Sequence, residues 1–350
     1  MTRRPIATLL ACVACLTTLT ACGAKEDDTS ATPAVQKLTL MLDYFPNADH
    51  APIYAALARG DFRRAGLDVK IVTPSDPSAP LKLVSAGKAD IAISYEPELL
   101  LARDKGAELI GIGALVQQPL TSIIALGSAK IDEPADLVGK TVGTAGIPYQ
   151  SAYLKTILER EGVDPTRVKE VNVGFNLVPA LLSKKVDATL GAFWNYEGVQ
   201  LARQNKDPSI IRVEKVGVPT YDELVLVTRE QDVRERGPLL RRFVQALAAG
   251  AQAVKADPAV GVDPLVAANK DLDRGLQLAS VKQTLPAFFP EKDSQPYGWQ
   301  DPDQWRTYAE WMKANGLLKN APTAASFTNE FLPGEGVVPV EETPGNAPTG

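Results

Sequence analysis

The chain of 350 residues is 45% hydrophobic and 23% charged, with 26 Gly and 27 Pro, which excludes collagen-like repeats and a wholly disordered chain. Lys and Arg total 37 against 42 Asp and Glu, a formal charge of -5, and no basic cluster offers the phosphate-neutralising surface that nucleic-acid binding needs. With one His (His50) and three Cys (Cys12, Cys15 and Cys22), a zinc centre or a Ser-His-Asp triad has few candidate members; no metal and no cofactor is expected, and the chain is not read as an enzyme.

Arg3 and Arg4 precede an apolar run from Ile6 to Leu19 that ends in small residues before Cys22, the pattern of a signal peptide over residues 1–21. The run is shorter than the roughly 20 apolar residues of a membrane span. Leu19-Thr20-Ala21-Cys22 resembles a bacterial lipobox, in which the Cys is lipidated and becomes the first residue of the mature chain. Residues 22–36 then read as the lipidated Cys and a flexible tether, spanning about 20 Å as a random coil. Cleavage before Cys22 leaves 35 basic against 42 acidic residues, a balance of -7 over 329 residues. The body is expected at the extracytoplasmic face of a cell membrane, held there by lipid alone.

From Lys37 onward short apolar runs alternate with helical patterns. Strands are expected at Leu38 to Tyr44, Val69 to Thr73, Ile91 to Tyr95 and Leu109 to Val116, with helices at His50 to Arg59, Pro80 to Gly87 and Pro97 to Gly106. Gly60, Gly66, Gly87 and Gly106 stand where left-handed helix caps belong. This series predicts a mostly parallel sheet. After a strand at Ile123 to Ala125, a second series follows: strands at Thr141 to Thr144, Val171 to Val173 and Ala188 to Phe193, helices at Ser151 to Glu161, Leu177 to Lys184 and Glu197 to Asn205. A returning strand at Leu224 to Thr228 leads into helices at Pro238 to Ala256, Asp273 to Thr284 and Asp301 to Asn315. The order predicts an α/β protein of two lobes joined by a double crossover, a natural hinge for closing on a ligand. Lobe 1 is expected at 37–126 plus 227–332, lobe 2 at 127–226, and a disordered tail at 333–350, where four Pro and four Gly fall in 18 residues.

In open α/β sheets ligands bind beyond the carboxyl ends of the strands. Those ends pair aromatics with acids: Asp43 and Tyr44 with Asn47 and His50 just beyond, Tyr95 with Glu96, Tyr149 after Gly146, Trp194 and Tyr196 with Glu197, and Tyr221 with Asp222 and Glu223. Aromatic faces sandwich planar heterocycles, and carboxylates accept from ring amino groups. No Lys or Arg stands in these loops, which favours a neutral or cationic amine-bearing ring over a sulfonate, nitrate or phosphate. Each residue also has a plainer reading: Tyr and Trp as core closure, Glu96 and Glu197 as acids at helix N-termini, His50 as a helix cap or packed ring. Gly143 and Gly146 lack the third Gly of a dinucleotide fingerprint.

The stretches Leu42 to Asn47 with His50, Gly60-Asp61-Phe62, Gly66 to Val69, Ser85 to Asp90, Gly146-Ile147-Pro148, Phe193 to Gly198, Gly217 to Glu223 and Phe327 to Leu332 resemble the ThiY-like substrate-binding proteins. The resemblance implies a periplasmic-binding-protein type II fold and a monomer that presents a thiamine pyrimidine precursor, formyl-aminopyrimidine or hydroxymethylpyrimidine, to an ABC permease. It further implies that Asp43, Tyr44, Asn47, Trp194, Tyr196 and Glu197 line the pocket. The alternatives it leaves are a riboflavin-binding or a sulfonate- or nitrate-type binding protein, and a pyrimidine synthase. The synthase relatives carry a lysine for pyridoxal phosphate, a nearby His and a cysteine-rich iron motif. Here Ser94 and Glu98 stand in place of the lysine and the His, and no Cys follows Cys22.

Overall fold

In the computed structural model, which describes residues 35–320 and 326–334, each expected βαβ series forms its own five-stranded sheet. The expected leader, the anchor at Cys22, the tether as far as Ala34 and most of the tail lie outside the described residues. The first series runs β1 (Gln36–Met41), α1 (Ala51–Arg59), α2 (Asp61–Arg64), β2 (Leu67–Val72), α3 (Pro80–Ser85), β3 (Ile91–Ser94), α4 (Glu96–Asp104) and β4 (Leu109–Val116). The second runs β5 (Thr121–Leu126), β6 (Thr141–Thr144), α5 (Pro148–Arg160), β7 (Lys169–Asn172), α6 (Leu177–Leu182), β8 (Ala188–Phe193), α7 (Glu197–Arg203) and β9 (Pro208–Arg212). The chain returns through β10 (Leu224–Arg229) to α8 (Glu230–Ala256), α9 (Ala259–Ala268), α10 (Arg274–Phe288) and α11 (Pro302–Ala314).

The strand orders are β2-β1-β3-β10-β4 and β7-β6-β8-β5-β9. Each sheet pairs its early strands in parallel and takes one crossing strand antiparallel: β10 against β3 and β4, β5 against β8 and β9. The lobe boundaries expected from sequence are corrected here. Sheet membership puts β5 with the second lobe and β10 with the first, so the crossings fall between Val116 and Thr121 and between Arg212 and Leu224. Period-2 patterning reports a strand but not its partner. Gln36, placed in the tether by sequence, begins β1 and donates its N–H to Gly66 O at 2.9 Å.

Gly60, Gly66, Gly87 and Gly106 all take positive φ, as their cap positions require. Helix α8 starts at Glu230 rather than Pro238. The proline ring breaks the helical ladder, but Arg236 leaves helical geometry (φ -126°, ψ 20°), so the chain kinks instead of stopping. The edge strand β9, with Pro208 at its first position, and helix α9, with Pro264 inside it, went unread because in each a proline argues against the element that forms.

Candidate functional site

The loops after β1 and β3 meet those after β6 and β8 around a small chamber lined by Asp43, Tyr44, Tyr95, Tyr149, Gln150, Gly191 and Glu197 among others. Asp43 is 2% exposed and uses both carboxyl oxygens: His50 Nε2 lies 2.9 Å from Oδ1, and Tyr95 OH donates to Oδ2 at 2.9 Å. The other imidazole nitrogen, Nδ1, accepts from the Asn47 backbone N–H at 3.1 Å. That bond assigns the ring hydrogen to Nε2, which therefore donates to Asp43. Asn47 in turn accepts from Asp49 N at 2.8 Å, closing a capping box around the 3₁₀ turn that leads into α1. His50 and Asn47 thus hold Asp43 and do not themselves line the chamber.

Glu197 enters the same chamber from the second lobe, in the first turn of α7, where its Oε2 accepts from Phe193 N at 2.7 Å. Burial pushes its carboxyl up to about 7, backbone N–H groups pull it down, and nearby Asp43 adds a smaller upward push. The two acids face one chamber from opposite lobes. Gly191, in β8, takes φ +110°, and a Cβ there would stand 2.3 Å from Gln150 Nε2; only glycine allows Gln150 to lie beneath the chamber and accept from Ala145 N at 2.8 Å. Tyr95 and Tyr149 form a tilted pair, 5.7 Å between centroids, that links the lobes.

The chamber measures about 20 Å³, little more than one water. Its outer wall is Tyr44, whose hydroxyl donates to Phe175 O in the second lobe at 2.7 Å. Phe175 also meets Tyr44 edge-on at 4.6 Å and Phe45 at 4.4 Å. Beyond Tyr44 lies a larger cavity of about 440 Å³, shared between Phe45, Phe175, Tyr196, Glu197 and the Asn269 to Leu272 loop. Among the described residues lining either cavity, none is Lys or Arg.

Besides His50 and Asn47, four more residues expected at the ligand lie off both linings. Trp194 turns toward the hinge: its Nε1 donates to Pro119 O at 3.0 Å, and Arg212 sits over its ring at 4.0 Å. Glu96 is fully buried, its Oε2 accepting from Asp222 N at 2.7 Å; burial first and the neighbouring Asp222 second hold its carboxyl well above the usual range. Glu223 accepts from Leu120 N, Thr121 N, Thr121 Oγ1 and Tyr221 OH at 2.7 to 3.0 Å, fastening one crossing segment to the other. Tyr221 and Glu223 therefore join the two crossing segments. Aromatic-acid pairing marks both kinds of place, because a buried carboxyl needs donors whether or not a ligand is near.

Sequence reasoning missed Gln150, Phe175 and Asp49. Asp49 is 1% exposed; its Oδ1 accepts from Asn195 Nδ2 at 2.6 Å, and burial pushes its carboxyl up to about 7. Its place between Asn47 and His50 was a signal, but Phe175 had none, since Tyr44 is 131 positions away. Among the described residues no group of three or more His, Cys, Asp or Glu is arranged to hold a metal ion, and no helix is long and apolar enough to cross a membrane.

Residues 47–260 match the model of the family described as NMT1/THI5 like. The formylaminopyrimidine-binding protein of Halalkalibacterium halodurans is 34% identical over 294 residues, covering 83% of this chain and 89% of the relative. The 4-amino-5-hydroxymethyl-2-methylpyrimidine phosphate synthase of Legionella pneumophila is 26% identical over 300 residues, 85% of this chain and 92% of that one. Among solved structures, the alkanesulfonate-binding protein SsuA of Xanthomonas axonopodis pv. citri superposes with a TM-score of 0.66 at 18% identity, over 86% of this chain and 100% of that chain, and so shares the periplasmic-binding fold.

Proposed function

The chain belongs to the NMT1/THI5-like family, and from that premise we propose that it is the substrate-binding component of an ABC importer for a thiamine pyrimidine precursor, formyl-aminopyrimidine or hydroxymethylpyrimidine. One observation carries the reading: Asp43, held by His50 and Tyr95, and Glu197 face a single aromatic chamber from opposite lobes with no basic side chain on its lining. An aminopyrimidine offers amino hydrogens to such acids and flat faces to Tyr44, Tyr95 and Tyr149. Closure of the lobes on the ring then makes both sets of bonds at once, and the closed form is what a permease reads. The likeness to the formylaminopyrimidine-binding relative supports this ligand class. Lipidation at Cys22, placement at the extracytoplasmic face and a monomeric state belong to the same proposal.

A sulfonate or nitrate finds no cationic partner on this lining. A synthase acting through pyridoxal phosphate requires an amine for the aldehyde. Where the synthase resemblance places that lysine, Ser94 instead donates to Glu98 Oε2 at 2.6 Å in a buried pair, which does not fit the cofactor. Isothermal titration with formyl-aminopyrimidine, hydroxymethylpyrimidine, riboflavin and taurine tests the proposal. Heat with the pyrimidines alone is expected; binding of riboflavin or taurine alone overturns the ligand assignment.

A further inference from the structure

The larger cavity outside Tyr44 has a chemistry of its own. It is lined by Tyr44, Phe45, Phe175 and Tyr196 together with the carboxylates of Glu197 and Asp271. Phe45 is 50% exposed, an unusual exposure for a ring that also packs on Phe175 at 4.4 Å across the cleft. Lys270, the nearest basic residue in the Asn269 to Leu272 loop, is exposed and not part of the lining. Aromatic faces with carboxylates and no competing cation attract a positive charge, through the ring quadrupoles and through direct attraction. Tyr44 and Glu197 line this cavity and the inner chamber alike, so one molecule can occupy both by passing between them. A volume of about 440 Å³ leaves room for a second ring outside.

We infer that the outer cavity is a subsite for an aromatic cation borne by the ligand, so that the cleft takes two-ring molecules, an aminopyrimidine joined to a positively charged heterocycle, as well as the single ring. This rests on the reading of the inner chamber as the aminopyrimidine site. The inner acids read the amino edge; the outer aromatics and Asp271 read the charge. Methylene-linked rings suit the bend around Tyr44 because one sp³ carbon lets the two planes turn independently.

The test is calorimetric titration of the folded body with thiamine, which joins an aminopyrimidine to a thiazolium, and with hydroxymethylpyrimidine, which lacks the cation. Both are measured on the unaltered protein, on Asp271→Asn and on Phe45→Leu, two exposed changes that leave the inner chamber intact. Thiamine is expected to bind, and each substitution to weaken it about three- to tenfold while hydroxymethylpyrimidine stays within about twofold. Raising the salt concentration is expected to weaken thiamine more than hydroxymethylpyrimidine. If hydroxymethylpyrimidine binds and thiamine does not, or if both substitutions leave thiamine unchanged, the outer subsite is refuted while the inner reading stands. If hydroxymethylpyrimidine fails to bind, the inner reading falls and the two-ring assignment with it.

Discussion

Asn195 and Asp49, 146 positions apart, meet in a buried bond of 2.6 Å that ties the turn after β8 in the second lobe to the turn before α1 in the first. The same Asn195 Nδ2 donates to Thr284 Oγ1 of α10 at 2.7 Å, and the next residue, Tyr196, accepts at its hydroxyl from Gln277 Nε2 at 3.2 Å. This turn carries Glu197 into the chamber, so Asn195 positions an acid that it does not itself touch. Replacing it by Ala takes the nearest donor from the buried Asp49, leaving Thr284 Oγ1 at 3.4 Å, and costs about 1 to 3 kcal/mol. Urea unfolding is expected to show that loss with an unchanged slope. Pyrimidine affinity should fall further than in Thr284→Val, because only the Asn195 change frees the turn that bears Glu197.

Asp49 makes stability depend on pH with a definite sign. Its carboxyl, ordinarily near 3.8, sits at about 7 in the folded chain, chiefly through burial. Between those values the native state holds a proton that the unfolded state releases, so stability is greatest near pH 4 and falls as pH rises toward 7. Glu98, Glu197, Asp222 and Glu223, also raised to about 7 by burial, add to the same fall. Thermal melts are expected to drop from pH 5 to pH 7.5, and Asp49→Asn to shrink the drop. A melting temperature that rises steadily over that range would contradict the burial of these acids.

Glu197 ties ligand affinity to pH in the opposite sense. In the proposed binding mode a ring amino group donates to the ionised carboxyl, so binding draws off the proton that Glu197 holds below about 7. Affinity for hydroxymethylpyrimidine is expected to rise from pH 6 to pH 8, with proton release visible as a buffer-dependent heat. Glu197→Gln should lower affinity about tenfold or more and flatten the profile. Affinity that falls with pH would mean the protonated acid donates to a ring nitrogen instead.

Gly191 offers a check on the floor of the chamber. Alanine there takes an unfavourable φ of +110° and drives its Cβ into Gln150, which lies 2.3 Å away. Roughly 1 to 3 kcal/mol of stability should be lost, and pyrimidine binding should weaken as Gln150 is pushed off Ala145. A substitution that is silent in both assays would show that Gln150 does not support the chamber.

Tyr44→Phe removes only the hydroxyl that reaches Phe175 O across the cleft. Because the freed carbonyl borders the outer cavity, folding should hardly suffer, while the open form gains by about 0.5 to 1.5 kcal/mol. Small-angle scattering of the ligand-free protein should show a larger radius of gyration than for the unaltered chain, and ligand should restore compactness.

The alternation of apolar runs, the glycines at helix ends and the acid-aromatic pairs at strand ends were legible in the chain itself, because each is set by neighbours within a turn or a strand. Those local patterns determined the α/β class, the two series and the presence of Asp43, Tyr44, Tyr95, Tyr149, Tyr196 and Glu197 on the lining of one cleft. Only the tertiary structure decided which acids face the chamber and which join the crossing segments: Glu197 and Glu223 look alike in sequence, yet one opens on the chamber and the other is consumed by four donors at the crossings. It also decided that β5 joins the second sheet, that Trp194 turns to Pro119, and that Phe175 and Asn195 reach across the lobes. These choices rest on contacts between residues scores of positions apart, where the free energy comes from burying both partners together and no single segment carries the signal.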